Sequence, residues 1–509
     1  MITVRGRDLL GRADVVLYDA LSHPALLEWC RPGAELRDVG KRFGSRSPPQ
    51  AWITEQLISL AQAGKRVARL KGGDPLLFAR GAEEAQALAR AGVAFEIVPG
   101  ISSPVAVTAY AGISMTHRDL SSSVTFITGS DREGQQWSDA AWKKLAKATD
   151  TICILMGMRR IAEITAAIVE GGRPGQTPCA VIQWGARAKQ RVVVSDLANI
   201  AQAAQAAGLT NPALIVVGEV TRLRAELAWY DSQPLFGKRV LVPRPIGQAR
   251  ATAAAIRERA AEPVVMPTIR VEPAPDPDRL AAAVAAMSHY DWVLFTSANG
   301  VNSCAGQLQA QGLDARAFGA AKVGCIGPKT AQALTTLGIR ADLVAAEYVA
   351  EGLVRDLLSS GVGSGARVLL LRALEAREEL PRALRAVGVS LDVVPAYQTL
   401  PLDAAGQERL RALFAAPEPV GVPATAAGGP DADPLLDVAL FTSSSTVHAF
   451  ADALGPDAAR LTGGVVLASI GPVTSATLRA RGLRVDVEAS EYTVPGLLDA
   501  LERHFTARA

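Results

Sequence analysis

The sequence predicts several α/β lobes built on parallel sheets, and three of its features predict them. Short apolar runs end on Gly, Asp, Ser or Thr and lead into helical segments, the alternation that sets a parallel sheet between helices. The second half repeats itself. At 509 residues the chain also exceeds one core, since a domain takes roughly 100–200 residues.

Composition excludes several functions. With 49% hydrophobic and 20% charged residues the profile is that of a soluble α/β protein, not a disordered one. No apolar run reaches bilayer length and the start, MITVRGRDLL, lacks the apolar core of a signal peptide. A cytoplasmic protein without membrane contact is therefore expected. Cys30, Cys153, Cys179, Cys304 and Cys325 form no CxxC pair and the histidines are dispersed, so neither a disulfide framework nor a metal site is expected. A net charge of +3 is too small for a general polyanion binder. Nucleic acid is excluded on that ground, and an anionic substrate would need a local cluster of Arg and Lys.

Taken in order, residues 3–12 have the apolar spacing of a helix, and 13–19 (ADVVLYD) read as a buried strand ending on Asp19. Residues 38–42 form a second short strand ending on Gly40, Lys41 and Arg42. Polar groups at such ends lie where α/β sheets hold ligands, although Asp19 and Lys41 read equally as solvated loop charge. A helix over 51–63 precedes RLKGGDPLLFARG at 69–81. There Gly72 and Gly73 let bare backbone approach a ligand, and Asp74 could accept its hydrogen bonds; an ordinary tight turn uses the same residues. A helix over 82–91 and a strand over 95–98 follow, closed by Pro99 and Gly100, with Ser102 and Ser103 as caps. Residues 109–119 are irregular, and His117 among them reads as structural. A second lobe opens near Ser121 with strands at 123–128, 151–156, 178–183 and 214–217. Met156-Gly157 and Trp184-Gly185 again put glycine after an apolar strand, as a cofactor crevice between two lobes would require.

VVLYD, VGKR, RLKGGDPLLFARG, IVPGISS, GISMTHRD, MGM, KQRVV and PALIVVGEV, in this order, resemble the uroporphyrinogen-III C-methyltransferase family across residues 1–228. The resemblance implies a two-lobed tetrapyrrole methylase domain, with lobes 1–119 and 120–228. It implies two methylations of uroporphyrinogen III by S-adenosylmethionine to give precorrin-2, on the route to sirohaem and cobalamin. By position it implies that Gly72, Gly73, Asp74, Leu77, Ser102, Ser103, Met156 and Gly185 line the cofactor site. Asp19 and Lys41 fall where the family keeps its proposed general base and acid, and each methyl transfer to a pyrrole carbon does leave a proton to be removed. Arg42, Arg46, Arg118 and Lys189 are candidate partners for substrate carboxylates or solvated surface. The family's opening strand and GxGPGDP loop do not occur in the sequence; a start placed too late is preferred to a damaged module, and the first sheet is expected to lack a strand. The family tends to dimerise, which leaves a homodimer through this half open.

After a linker at 229–236 the repeat begins. WVLFTSANGV returns as VALFTSSSTV, and CIGPKTAQALTTLGIRAD as SIGPVTSATLRARGLRVD. Gly327 and Gly471 share one offset with Tyr348 and Tyr492. RVLVPR, ending at Arg244, returns as RVLLLR, ending at Arg372, at a shorter offset; the low-complexity insert at 417–434 takes up the difference. Two parallel-sheet lobes with a cleft between them follow. Thr296/Ser297 and Thr442/Ser443, after apolar strands and before helices, suit an anion site or plain helix capping, or both.

FTS, IGPxT, the EY(V/T)xxGL segment and the tyrosine of VVPAYQT resemble uroporphyrinogen-III synthase over residues 237–509. The resemblance implies a bilobal synthase of two parallel-sheet α/β lobes, 237–268 plus 400–509 and 272–397, linked near 267–272 and 394–401. It implies cofactor-free closure of hydroxymethylbilane with inversion of the last pyrrole ring. Tyr397 matches the tyrosine thought to give a proton to the departing hydroxyl, or is a linker-packing aromatic. Ser297, Thr330, Arg372, Ser443 and Thr474 would bind carboxylates. The chain thus reads as two successive enzymes, against two rivals: a synthase with an inactive methyltransferase remnant, and a non-catalytic tetrapyrrole-binding regulator.

Overall fold

The computed structural model describes residues 1–40, 48–129, 137–347, 350–376, 378–414 and 436–507. Lys41, Arg42, Arg46, Tyr348 and the insert at 417–434 lie outside the described residues. Among those described, four sheets carry the fold.

The first holds β1 (Val15–Tyr18), β2 (Glu35–Asp38) and β3 (Val67–Leu70) in the order β2-β1-β3, all parallel. Central β1 is an unbroken apolar run because both of its faces are covered, and Val15, Val16 and Leu17 are buried. The second strand forms earlier than 38–42, since Glu35 pairs with Val15 and Asp38 with Tyr18. The strand expected at 95–98 does not form. No neighbouring strand offers it a ladder among the described residues, and Phe95 and Ile97 stay 46% and 41% exposed. Apolar alternation without a partner does not make a strand.

The second sheet holds β4 (Val124–Thr128), β5 (Thr151–Leu155), β6 (Pro178–Gln183), β7 (Arg191–Asp196) and β8 (Ala213–Val217), ordered β4-β5-β8-β6-β7. Only β4 and β5 pair in parallel. The expected strands are all present, and β7 joins them as an edge strand; RVVVSD is legible in the sequence only as part of a motif. Residues 229–236 pack onto the helix Ser103–Tyr110, where Tyr230 stacks edge-on against Tyr110 and Trp229 donates to the carbonyl of Ala109.

Two further sheets form the second half. One contains β9 (Arg239–Val242) and β10 (Glu262–Val265). The other takes β11 (Ile269–Pro273), β12 (Trp292–Phe295), β13 (Lys322–Cys325), β14 (Leu343–Val344), β15 (Arg367–Ala373) and β16 (Ser390–Pro401). The chain then returns to the former with β17 (Val438–Phe441), β18 (Val466–Ser469) and β19 (Val487–Glu488). Their orders are β10-β9-β17-β18-β19, wholly parallel, and β11-β16-β15-β12-β13-β14, parallel but for edge strand β11. Each sequence repeat therefore gives two strands to one sheet and crosses to the other. Phe295 and Phe441, equivalent in the repeat, each anchor one core.

The halves touch through the loop after β1. Glu28 accepts from Arg257 at 2.7 Å, and Trp29 has the guanidinium groups of Arg7 and Arg250 5.5 and 6.0 Å from its ring. Among the described residues no helix is long and apolar enough to cross a membrane.

Candidate active sites

In the first sheet the chain runs from β1 outward to β2, then returns to the far side of β1 as β3. The carboxyl ends of β1 and β3 therefore flank a crevice, the usual ligand position in such sheets. Asp19 leaves β1 there and residues 71–74 leave β3. Asp19 is held by Arg69 of β3 at 2.6 Å; Arg69 also reaches Glu84 at 3.3 Å, and Lys71 reaches Glu84 at 3.2 Å. Lys71 and Glu84 side chains are 6% and 5% exposed, so two cations and two anions neutralise one another in a largely dry site. Sequence reasoning missed Arg69, Lys71 and Glu84. The available signal was RLK, whose first and third residues share a strand face.

The turn after β3 is locked to the segment at 100–103. Asp74 accepts from the backbone N–H of Leu76 at 2.8 Å and of Gly100 at 3.0 Å, while its own N–H donates to Ser102 Oγ at 3.0 Å. The Asp74 carboxylate thus organises the backbone, each oxygen retaining one further lone pair for a ligand. Ser102 starts the helix Ser103–Tyr110 without a side-chain cap, because its hydroxyl is committed to Asp74. Gly73 has φ +102°, and a Cβ there would lie 3.1 Å from Ser102 Cα. Leu77 is half-buried and Ser103 exposed.

Met156 and Gly185 follow strands of the second sheet. Met156, Trp184 and Ala186 all have positive φ, +55°, +50° and +61°. For residues with a Cβ this is strained and persists where surroundings impose it, as at binding sites. Gly185 lies against the helix Ser103–Tyr110, where a Cβ would come 2.3 Å from Val107. Lys189 sits over the Trp184 ring at 3.9 Å, and the Trp184 indole N–H is buried without an acceptor among the described residues. Arg187 donates to the Leu21 carbonyl at 3.2 Å, tying this loop to the one after β1; burial holds its pKa below the usual arginine range. Arg118 is exposed.

In the second half, β12 leads on to β13 and β14 in one direction, while β15 and β16 run off in the other. The crevice between β12 and β15 carries Ser297 and Arg372, and Tyr397 approaches from β16. Tyr397 Oη lies 3.0 Å from Ser297 Oγ, and Tyr397 is only 8% exposed. Ser297 also caps its helix, accepting from Gly300 N–H at 3.2 Å. Arg372 is buried and bonded to Glu378. In the other sheet Ser443 caps its helix through Thr446 N–H at 3.3 Å. Thr330 and Thr474 occupy equivalent first turns of the helices Pro328–Thr336 and Pro472–Ala480, both buried. The cysteines are free, and burial pushes the thiols of Cys153, Cys179 and Cys304 up, away from nucleophilic chemistry. Among the described residues no three His, Cys, Asp or Glu side chains converge on a metal site.

Comparison with known proteins matches both halves. The model of "Tetrapyrrole (Corrin/Porphyrin) Methylases" matches residues 1–201, and that of "Uroporphyrinogen-III synthase HemD" residues 250–499. "Porphyrin biosynthesis protein HemD" of Ruminiclostridium josui is 36% identical over 399 residues, 78% of this chain and 79% of that one. "Siroheme synthase 2" of Yersinia pestis (strain Pestoides F) is 46% identical over 234 residues, 46% of this chain and 49% of the relative. The chain thus spans about half the length of the sirohaem synthases it matches. Among solved structures, a Thermus thermophilus uroporphyrin-III C-methyltransferase complexed with S-adenosylhomocysteine is 33% identical, with 43% of this chain and 92% of that one covered, at a TM-score of 0.38. A mutant uroporphyrinogen III synthase, also from Thermus thermophilus, is 20% identical, covering 53% of this chain and 100% of that one, at the same TM-score of 0.38.

Proposed function

Since the chain belongs to the porphyrin-biosynthesis family that joins a tetrapyrrole methylase to a uroporphyrinogen-III synthase, we propose that it performs two successive steps. The C-terminal module closes hydroxymethylbilane to uroporphyrinogen III with inversion of the last ring. The N-terminal module methylates that product twice with S-adenosylmethionine to give precorrin-2.

One coincidence supports this most. Asp19 with residues 71–74, and Ser297 with Arg372 and Tyr397, stand where adjacent strands lead off in opposite directions, and sequence motifs mark them independently of that topology. The methylase residues also suit the cofactor, given the strained strand ends at Met156, Trp184 and Ala186 and the orphaned indole N–H of Trp184. When bound, S-adenosylmethionine supplies an electrophilic methyl group. Bare backbone at 72 and 73 and the loops after β5 and β6 would hold and align it, and alignment is most of what such a transfer needs. Asp19, held in place by Arg69, would take the proton released from the methylated carbon. In the synthase, Tyr397 would give its proton to the leaving hydroxyl, while Ser297 would donate its own O–H to Tyr397 Oη and so steer it. Arg372, the capping hydroxyls and the helix N-termini would hold substrate carboxylates.

The full chain incubated with hydroxymethylbilane and S-adenosylmethionine should yield the inverted isomer carrying two added methyl groups. Only the uninverted ring would refute the synthase and favour a regulator. Inverted but unmethylated product, without binding of S-adenosylhomocysteine, would favour an inactive methylase.

A further inference from the structure

The two synthase sheets are copies of one another at the level of strands. Their orders, β10-β9-β17-β18-β19 and β16-β15-β12-β13-β14, correspond position by position, and the sequence repeat makes the same assignment of β9 to β15 and β17 to β12. Each sheet has one point where the chain departs in both directions, between β9 and β17 in one and between β12 and β15 in the other. The crevice of the second holds Ser297 and Arg372. The first must hold their equivalents, Ser443 and Arg244.

The two arginines differ in what balances their charge. Arg372 has Glu378 beside it. Arg244, two residues beyond β9, is drawn partly out of water, yet among the described residues its guanidinium donates only to the neutral amide of Gln248, at 3.3 Å. No carboxylate among the described residues forms an ion pair with it. Its pKa is lowered by burial alone, with no acid to oppose the shift. A half-buried cation without a counter-charge costs stability, and an incoming anion offsets that cost. Guanidinium suits a carboxylate in particular, by forked hydrogen bonds. The helix Ile246–Glu258 begins two residues later and adds positive potential at the same end.

We propose that Arg244 binds a carboxylate of the linear tetrapyrrole, so that one polycarboxylate substrate is gripped by both sheets, at Arg372 and at Arg244. This rests on the synthase function proposed above and extends it to the sheet that carries no tyrosine. Arg244 is a binding residue, and its effect belongs in KM.

The test uses the full chain and steady-state formation of uroporphyrinogen III from hydroxymethylbilane. In R244Q, KM should rise about 10- to 100-fold, the range for losing a hydrogen bond to a charged group, with kcat within about threefold of wild type. Methylation of supplied uroporphyrinogen III should be unaffected, which reports an intact N-terminal half, and an unchanged melting temperature of the C-terminal half reports its fold. A second variant leaves the arginine in place: Gln248→Glu sets a carboxylate where the amide already meets the guanidinium, in the first turn of a helix that tolerates acid. Q248E should raise KM about tenfold without lowering the melting temperature, because the site then carries its own anion. An unchanged KM in either folded variant overturns the proposal, and Q248E decides alone should R244Q fail to fold. A wild-type chain that yields only the uninverted ring overturns the synthase function itself, a different and separable result.

Discussion

Adjacent glycines at 72 and 73 should respond to alanine in opposite ways. At Gly73, φ is +102° and a Cβ would lie 3.1 Å from Ser102 Cα and 3.2 Å from its Oγ. Backbone strain of that kind costs about 1–3 kcal/mol before any clash. A stability loss of about 2 kcal/mol in a module of this size lowers Tm by roughly 4–8 °C. At Gly72 the nearest atom to a Cβ would be Leu21 Cβ at 3.6 Å, ordinary contact distance, and no unusual φ stands in the way. The protein alone therefore has room for an alanine at position 72, and stability should change by under about 0.5 kcal/mol. A methyl group pointing where a cofactor lies on bare backbone should instead weaken binding by about 1–3 kcal/mol, the cost of overpacking, or roughly 5- to 150-fold in Kd. Thermal unfolding and calorimetric titration with S-adenosylhomocysteine measure the two effects separately. Wild-type affinity in Gly72→Ala would refute the cofactor site at residues 72–74. An unchanged Tm in Gly73→Ala would refute the packing of that turn onto Ser102. Loss of activity at Gly73 alone decides nothing, because the fold and the ligand both need that glycine.

Two further outcomes are expected. Tyr397→Phe should lower synthase kcat about 100-fold if its hydroxyl gives the proton, while costing about 1 kcal/mol for the bond to Ser297; a change under threefold would reduce Tyr397 to packing. His23, half-buried near Arg187 and Arg257, has its pKa pushed down to about 4, chiefly by desolvation. The unfolded chain, near 6.5, binds the proton more readily, so stability is full above about pH 6.5 and is lost as pH falls toward 4. Screened by partial exposure, the loss should be about 2 kcal/mol. His23→Asn keeps a side-chain acceptor for Ala25 N–H, so the variant should lose this sensitivity in pH-dependent melting, and an unaltered profile would remove His23 as its source.

Local chemistry announced much of the molecule. The strand at 178–183 forms over the residues whose apolar run marks it, the two Ser caps follow the two strands that carry them, and the duplicated motifs foretell two related sheets. These features depend on neighbours along the chain, so their signal lies in spacing and residue type. Partnership between distant segments has no such signal. Residues 95–98 alternate like a strand yet find no ladder among the described residues, and the bond from Gly100 to Asp74 joins segments that spacing does not connect. Glu84 neutralises Arg69 and Lys71 only because a helix packs against β3.

By itself, then, the sequence determined the kind of fold and the family, and nominated candidate residues, because glycine, serine, tyrosine and carboxylate mark strand ends wherever they occur. Tertiary structure decided which of those ends meet and which charges go unanswered. Arg244 and Arg372 close nearly identical segments, RVLVPR and RVLLLR, yet among the described residues an acid pairs with Arg372 and none with Arg244, and Coulomb energy depends on distance in space and not on position in the chain.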